Sequence, residues 1–251
     1  MNAALATELA KFAHSTVVRA TTIIMVLGIA LICSSMLLAV GTASPQMTAK
    51  LGPLADPGGW VGYFGAAAQV TSAASLLGCG VVLSWIFGRE FGDGTITGLF
   101  ALPVARPTIA AAKLIVYSIW AVVVSLALLL ALVVFGFAFG LGPLTPDALP
   151  AMGRQIVLAI LTAAIASPAA WAATLGRAVL AGIGTAIGIL VLSQVAVVAG
   201  AGGWFPFAAP ALWAVSNGSQ VSPLQLALVI PLVAISCALT LRTWRRLQLD
   251  R

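Results

Sequence analysis

Residues 85–113 read WIFGREFGDGTITGLFALPVARPTIAAAK. They are the one place where charges of both signs, glycine, proline and threonine gather between two long apolar runs. On either side, residues 57–88 and 114–146 contain no Asp, Glu, Lys or Arg, and the same holds for 20–49, 155–176 and 178–241. Each run is at least as long as the roughly 20 residues a helix needs to cross the hydrocarbon core. Of the 251 residues, 61% are hydrophobic and 7% charged, too few charges to cover a soluble surface. The chain is therefore an integral membrane protein. Its runs are continuously apolar, whereas barrel strands alternate over about 10 residues, so the fold class is all-α.

Working outward, six spans are expected at about 18–40, 63–87, 114–139, 152–174, 178–199 and 223–241. The first apolar run is longer than the core of a signal peptide and is read as a retained span. Before it, residues 3–17 (AALATELAKFAHSTV) place Leu5, Leu9, Phe12 and Ala13 at helical spacing, with Glu8, Lys11 and Ser15 towards the opposite face. That pattern predicts an interfacial helix. Residues 41–59 carry three prolines and read as an irregular loop, and 140–150 (GLGPLTPDALP) as a turn. The 64 uncharged residues between Arg177 and Arg242 would measure about 96 Å as one helix, three times the core thickness. Gly200, Gly202, Gly203, Pro206 and Pro210 break the run, and Trp204, Phe205, Phe207 and Trp213 favour the interface, so short re-entrant helices are expected between spans 5 and 6.

Six spans put ten of the twelve basic residues on one side and only Lys50 and Arg154 on the other. By the positive-inside rule both termini and the 88–113 loop are cytoplasmic. Net charge of +6 belongs to this asymmetry and to lipid headgroups, not to nucleic acid. The chain reads as one transmembrane domain, with no soluble domain and no obvious internal repeat.

The inventory for catalysis is nearly empty. His14 is the only histidine, and Cys33, Cys79 and Cys237 stand singly in apolar runs, so neither a nucleophilic triad nor a zinc site is expected. Glu90 and Asp93 share a helical face, but Arg89 beside them points to local salt links and not to a metal. The three lysines lack the GxxxxGK[ST] context of a phosphate-cradling loop, so any ATP would be hydrolysed on another chain. Gly136-x3-Gly140, Gly184-x3-Gly188 and the small residues of 71–75 suit close helix packing. Gln69, Gln194, Ser193 and Ser167 are polar groups inside spans that either line a pathway or bond between helices. Arg154 lies just inside the outer end of span 4, where it either snorkels to headgroups or serves a pathway.

The order Glu90-Phe91, Gly94-Thr95, Leu99, Pro103, Arg106 and Lys113 resembles the signature of ABC-2 type transporter permeases, E-[FY]-x2-GT-x3-L-x3-P-x2-R-x5-6-K. Ala105 stands where a serine is usual. The resemblance implies a permease subunit of an ATP-driven exporter in a bacterial inner membrane, paired with a second copy or a sister permease. Two cytoplasmic ATPase subunits would carry ATP and Mg. It also implies that Arg89, Glu90, Phe91, Asp93, Gly94, Thr95 and Leu99 form a coupling helix against the ATPase. Thr95 would cap a helix that, held by Gly88 and Gly92 at one end and Pro103 at the other, moves as a rigid lever. Pro103, Arg106 and Lys113 would anchor the start of span 3 at the headgroups. The apolar spans favour a drug, lipid or peptide as substrate, and the composition suggests multidrug export by analogy. The alternative is an ion-gradient-driven transporter or channel. It would want acids within the spans, and spans 2 to 6 have none.

Overall fold

The computed structural model describes residues 2–42, 59–101 and 103–248, and among these every regular element is a helix. Among the described residues six helical spans are long and apolar enough to cross a membrane, the number expected. Helix α1 (Asn2–Ala13) precedes α2 (Thr16–Ile23), whose start is capped by Ser15: its hydroxyl accepts from the Val18 amide at 3.3 Å. Through a wide π turn at Ile24–Gly28, α2 runs on into α3 (Ile29–Thr42) to complete the first span. The predicted loop at 41–59, with Lys50, lies almost wholly outside the described residues.

Helix α4 (Gly59–Gly92) is 34 residues long and α6 (Arg106–Ala138) is 33. At about 1.5 Å per residue each is about 50 Å, well beyond the roughly 30 Å of hydrocarbon. Both therefore overrun their predicted limits at the end where residues 85–113 join them. Pro107 sits in the first turn of α6, where its missing N–H costs nothing, so the helix starts before Lys113 and not after it. Between them lies the short α5 (Ile96–Phe100). The fourth span is α7 (Ala148–Ile165) followed by α8 (Pro168–Leu175), interrupted where Pro168 removes a donor. Helix α9 (Val179–Val198) is the fifth span. A 3-10 turn at Gly202–Trp204 and α10 (Ala209–Val215) lie between the fifth and sixth spans, where short helices were expected, and α10 packs against α4 and α7. Ser222 forms a capping box with Gln225 to start α11 (Pro223–Ala227), which leads into α12 (Val229–Arg246). That last helix runs five residues beyond its expected end at 241, because Trp244 is wholly buried and holds the final turn to the bundle.

Helix α4 is the hub, packed against α3, α6, α7, α8, α9 and α10. Its closest neighbour is α9. A Cβ on Gly88 would fall 2.7 Å from the Val179 nitrogen, and Gly80 and Gly182 are equally closed off by Ala186 and Ser84. The small-residue seam thus runs along Gly80, Ser84 and Gly88, one residue per turn. The expected Gly184-x3-Gly188 pair faces open space instead, while Gly136 does serve packing, its face filled by the Trp60 ring.

The two ends of the bundle differ in chemistry. At one end the Trp60 indole donates to the carbonyls of Gly142 (3.2 Å) and Pro143 (3.1 Å), and Arg154 donates to Asn217 Oδ1 at 2.8 Å. At the other end meet α1, the α4–α6 connection, the α8–α9 turn and the end of α12. Here Lys11 bonds Glu90, Arg106 donates to the Leu247 carbonyl, and Arg177 donates to the Gln248 carbonyl at 3.1 Å.

Candidate functional site

At the basic end α1, α4 and α6 each contribute charge to one buried cluster. Lys113 is 2% exposed and spends all three ammonium hydrogens: on Glu8 Oε2 (2.9 Å), Glu90 Oε1 (2.9 Å) and the Ile86 carbonyl (3.2 Å). Lys11 donates to Glu8 Oε1 and Glu90 Oε1, both at 3.1 Å. Two acids and two lysines balance, which is what allows four charges to leave water together. Lys113 Nζ also lies 5.8 Å from the Trp244 ring centroid, so the final span touches the cluster as well. Glu90 Oε2 is buried without a hydrogen-bond partner among the described residues.

Burial pushes the Glu8 carboxyl up, but the Lys113 and Lys11 ammonium groups together outweigh it, so Glu8 titrates below its ordinary value. For Lys11, burial disfavours the charge, and the carboxylates of Glu90 and Glu8 more than offset that. It titrates above its ordinary value.

This cluster revises several sequence expectations. Glu8 was assigned to the outward face of α1, yet it is buried with Ala4 and Phe12 while Leu9 is 50% exposed. The helix turns its polar stripe inward because partners wait there. Glu90 was expected on the surface offered to an ATPase; it lies inside, at 1% exposure. Lys113 does not reach headgroups, since its ammonium is consumed within the bundle. The participation of Glu8 and Lys11 was missed, although an adjacent Glu-x2-Lys pair on a half-apolar helix was a signal.

Beyond the cluster the chain turns sharply. Gly94, at φ +68°, adopts a left-handed conformation that favours glycine, and the Thr97 hydroxyl donates to its carbonyl at 3.2 Å. Thr95 stands at the start of α5, but its hydroxyl makes no cap, because its backbone is already helical (φ −76°, ψ −9°). Ile96 and Leu99 are buried in the core, and Phe91 packs half-buried beside them. They pin α5 down and leave Asp93, Gly94, Thr95, Thr97 and Gly98 facing outward. The Arg89 guanidinium stacks over the Trp85 ring at 4.4 Å, and Pro103 is exposed. Gly88 and Gly92 do not bound a separate lever helix: both continue α4, and Gly88 is clamped against α9. Arg106 ties the start of α6 to the end of α12.

A second constellation lies deeper in the bundle. Gln69 and Ser72 of α4, Thr162 of α7, and Ser193 and Gln194 of α9 line one cleft of about 370 Å³, walled elsewhere by apolar groups such as Phe207 and Leu212. The structure brings Gln69 and Gln194 together here; Arg154 is apart, bonded to Asn217. Gln155 instead bonds Thr71 between helices at 2.7 Å, and the buried Ser167 lies outside the cleft. His14 is exposed, its ring nitrogen 2.9 Å from the Ala10 carbonyl, and no group of three metal-ligating side chains occurs among the described residues.

A buried ionic latch thus lies beneath an exposed, glycine-turned loop that joins two overlong spans. The family model described as ABC-2 family transporter protein matches residues 4–193, from α1 through all but the last residues of α9. The chain belongs to this family. No curated protein matches it. ABC-2 permeases are membrane subunits, not themselves catalytic, that work with an ATPase partner. In this permease the matched region contains all four charges of the latch, the α4–α6 loop and about half of the cleft lining, Gln69 included and Gln194 just beyond it.

Proposed function

We propose that this ABC-2 permease is the membrane half of an ATP-driven exporter for uncharged or weakly charged amphipathic molecules. The observation that carries the reading is the outward face of Asp93, Gly94, Thr95, Thr97 and Gly98, held by the buried Glu90–Lys113 pair below it. A surface meant to transmit force must not yield locally. Ionic and apolar contacts under α5 supply that stiffness. The basic end of the bundle faces the cytoplasm, where the excess of arginine and lysine belongs, and there each permease meets one ATPase subunit bearing ATP and Mg. A second permease packs against the α9 face around Gly184 and Gly188, which no side chain of the described residues fills.

Substrate engages the cleft between Gln69 and Gln194. Its walls are apolar with hydroxyl and amide groups and no charge, which suits a molecule with a hydrogen-bonding head and an apolar body. Export of drugs, lipids or peptides fits this chemistry.

The test is purification from the native host in mild detergent, followed by ATP hydrolysis in proteoliposomes. The expected result is a co-purifying ATPase whose turnover is raised by the permease. Recovery of the permease alone in repeated preparations would sink the reading.

A further inference from the structure

We infer that the cleft between the ends of α8 and α12 binds the phosphate headgroup of an anionic phospholipid. The cleft measures about 530 Å³ and is separate from both constellations described above. Arg177, Arg242 and Arg246 line it, and among the described residues no Asp or Glu does. Arg242 and Arg246 are one turn apart on α12, exposed, and make no ion pair among the described residues.

Arg177 comes from the opposite wall. Its backbone is left-handed, φ +49°, at the end of α8, where the Ala178 amide closes the turn on the Ala173 carbonyl at 3.2 Å. Glycine is the ordinary residue there. An arginine is instead held in that conformation, and its side chain bridges to the Gln248 carbonyl at 3.1 Å across the cleft.

Guanidinium groups match phosphate oxygens in fixed, forked geometry. A basic pocket between spans on the cytoplasmic side is the chemistry that selects anionic headgroups. The rim points the same way. Trp171 donates its indole N–H to Thr243 at 3.2 Å inside the cleft, and Leu239 and the 55% exposed Leu175 line it as well. Apolar groups beside arginines describe an amphipathic ligand lying along the protein, acyl chains against α8 and α12. Among the described residues no carboxylate lines the cleft to meet a choline or ethanolamine cation, which disfavours a zwitterionic lipid.

The test is native mass spectrometry of the full chain released from micelles holding equal phosphatidylglycerol and phosphatidylcholine. Phosphatidylglycerol adducts should dominate. Arg242→Gln and Arg246→Gln should each cut them about fivefold, while Arg245→Gln, the same charge change outside the cleft, should leave them as in wild type. Glycerol phosphate in solution should not displace the lipid. Adducts undiminished in the first two variants would overturn the inference, as would equal loss in Arg245→Gln. Full displacement by glycerol phosphate would assign a free phosphate site instead. Loss of a co-purifying ATPase in Arg242→Gln with lipid retained would make the cleft a protein contact.

Discussion

Replacing Lys113 with methionine keeps the volume of the side chain and removes its charge. The structure says what is left behind. Glu8 and Glu90 lose their shared cation, each by a 2.9 Å contact, and Glu90 lies 1% exposed with only Lys11, itself 30% exposed, still paired to it. The Ile86 carbonyl loses its donor too. Breaking a buried pair from one side costs about 3–5 kcal/mol, because a charge stays in a poorly solvating site. For a chain of this length that is a fall in apparent melting temperature of about 6–20 °C.

The assay is thermal unfolding in one detergent, followed by loss of the monodisperse peak. Its power lies in the second variant. Lys113→Met with Glu90→Gln removes one charge of each sign and leaves the Glu8–Lys11 pair at 3.1 Å, so it should recover at least half of the loss. If Lys113→Met unfolds within about 1 kcal/mol of wild type, or if the double variant is no better than the single, the four charges are not a mutually dependent latch.

The same latch sets a pH profile. Glu8 titrates below 4.5, so its contribution is complete above that value and is lost only as pH falls through the lowered one; Lys11 titrates above 10.5, so its contribution is complete below that and is lost as pH rises further. Melting temperature should therefore be flat between these limits, and Glu8→Gln should abolish the part of the acid fall due to Glu8. Gly88→Ala should cost about 1–3 kcal/mol by forcing α9 off α4, whereas Gly92→Ala, with nothing within 4 Å of the new methyl, should be nearly neutral in the same melts. Asp93→Lys, on the exposed turn, should leave folding intact and weaken ATPase co-purification; Glu90→Lys should lower the melting temperature itself, by leaving three cations around the single carboxylate of Glu8. Equal melts for these two variants would contradict the burial of Glu90.

Much of this architecture is legible in the amino-acid order, and the reasons are physical. Membrane spans advertise themselves because a charge in hydrocarbon is costly, so charge-free runs count the helices. The α4–α6 segment is visible because glycine, proline and mixed charge cannot continue a span. What misleads is the assumption that charge means surface. Glu8, Glu90 and Lys113 each look solvent-bound when taken singly, and only the convergence of α1, α4 and α6 makes their burial affordable. The ends of α4, α6 and α12 run past expectation for the same reason: charged and aromatic residues continue a helix when tertiary partners receive them. The Gly80, Ser84 and Gly88 seam is hidden among 25 glycines until the fold shows which of them have neighbours.

These contacts also constrain how a push on the loop would travel. Glu90 and Lys113 tie α4 to α6, Glu8 adds α1, and Arg106 adds the end of α12, so the loop moves as one body with four helices. Helix α4 meets α9 most closely at Gly80, Ser84 and Gly88, where there is no room for a side chain to slide. The cleft lies further along, with Gln69 on one helix and Gln194 on the other. A tilt of α4 about the tight seam therefore changes the cleft while leaving the seam fixed. Spin labels at residues 69 and 194, in a chain whose three cysteines are replaced, should report a separation that shifts by several ångströms when the ATPase-bound permease receives ATP. Labels at residues 92 and 115, exposed positions of α4 and α6 beside the latch, should not move relative to each other. A shift at 92–115 with none at 69–194 would place the flexing in the loop and leave the latch without a part in coupling.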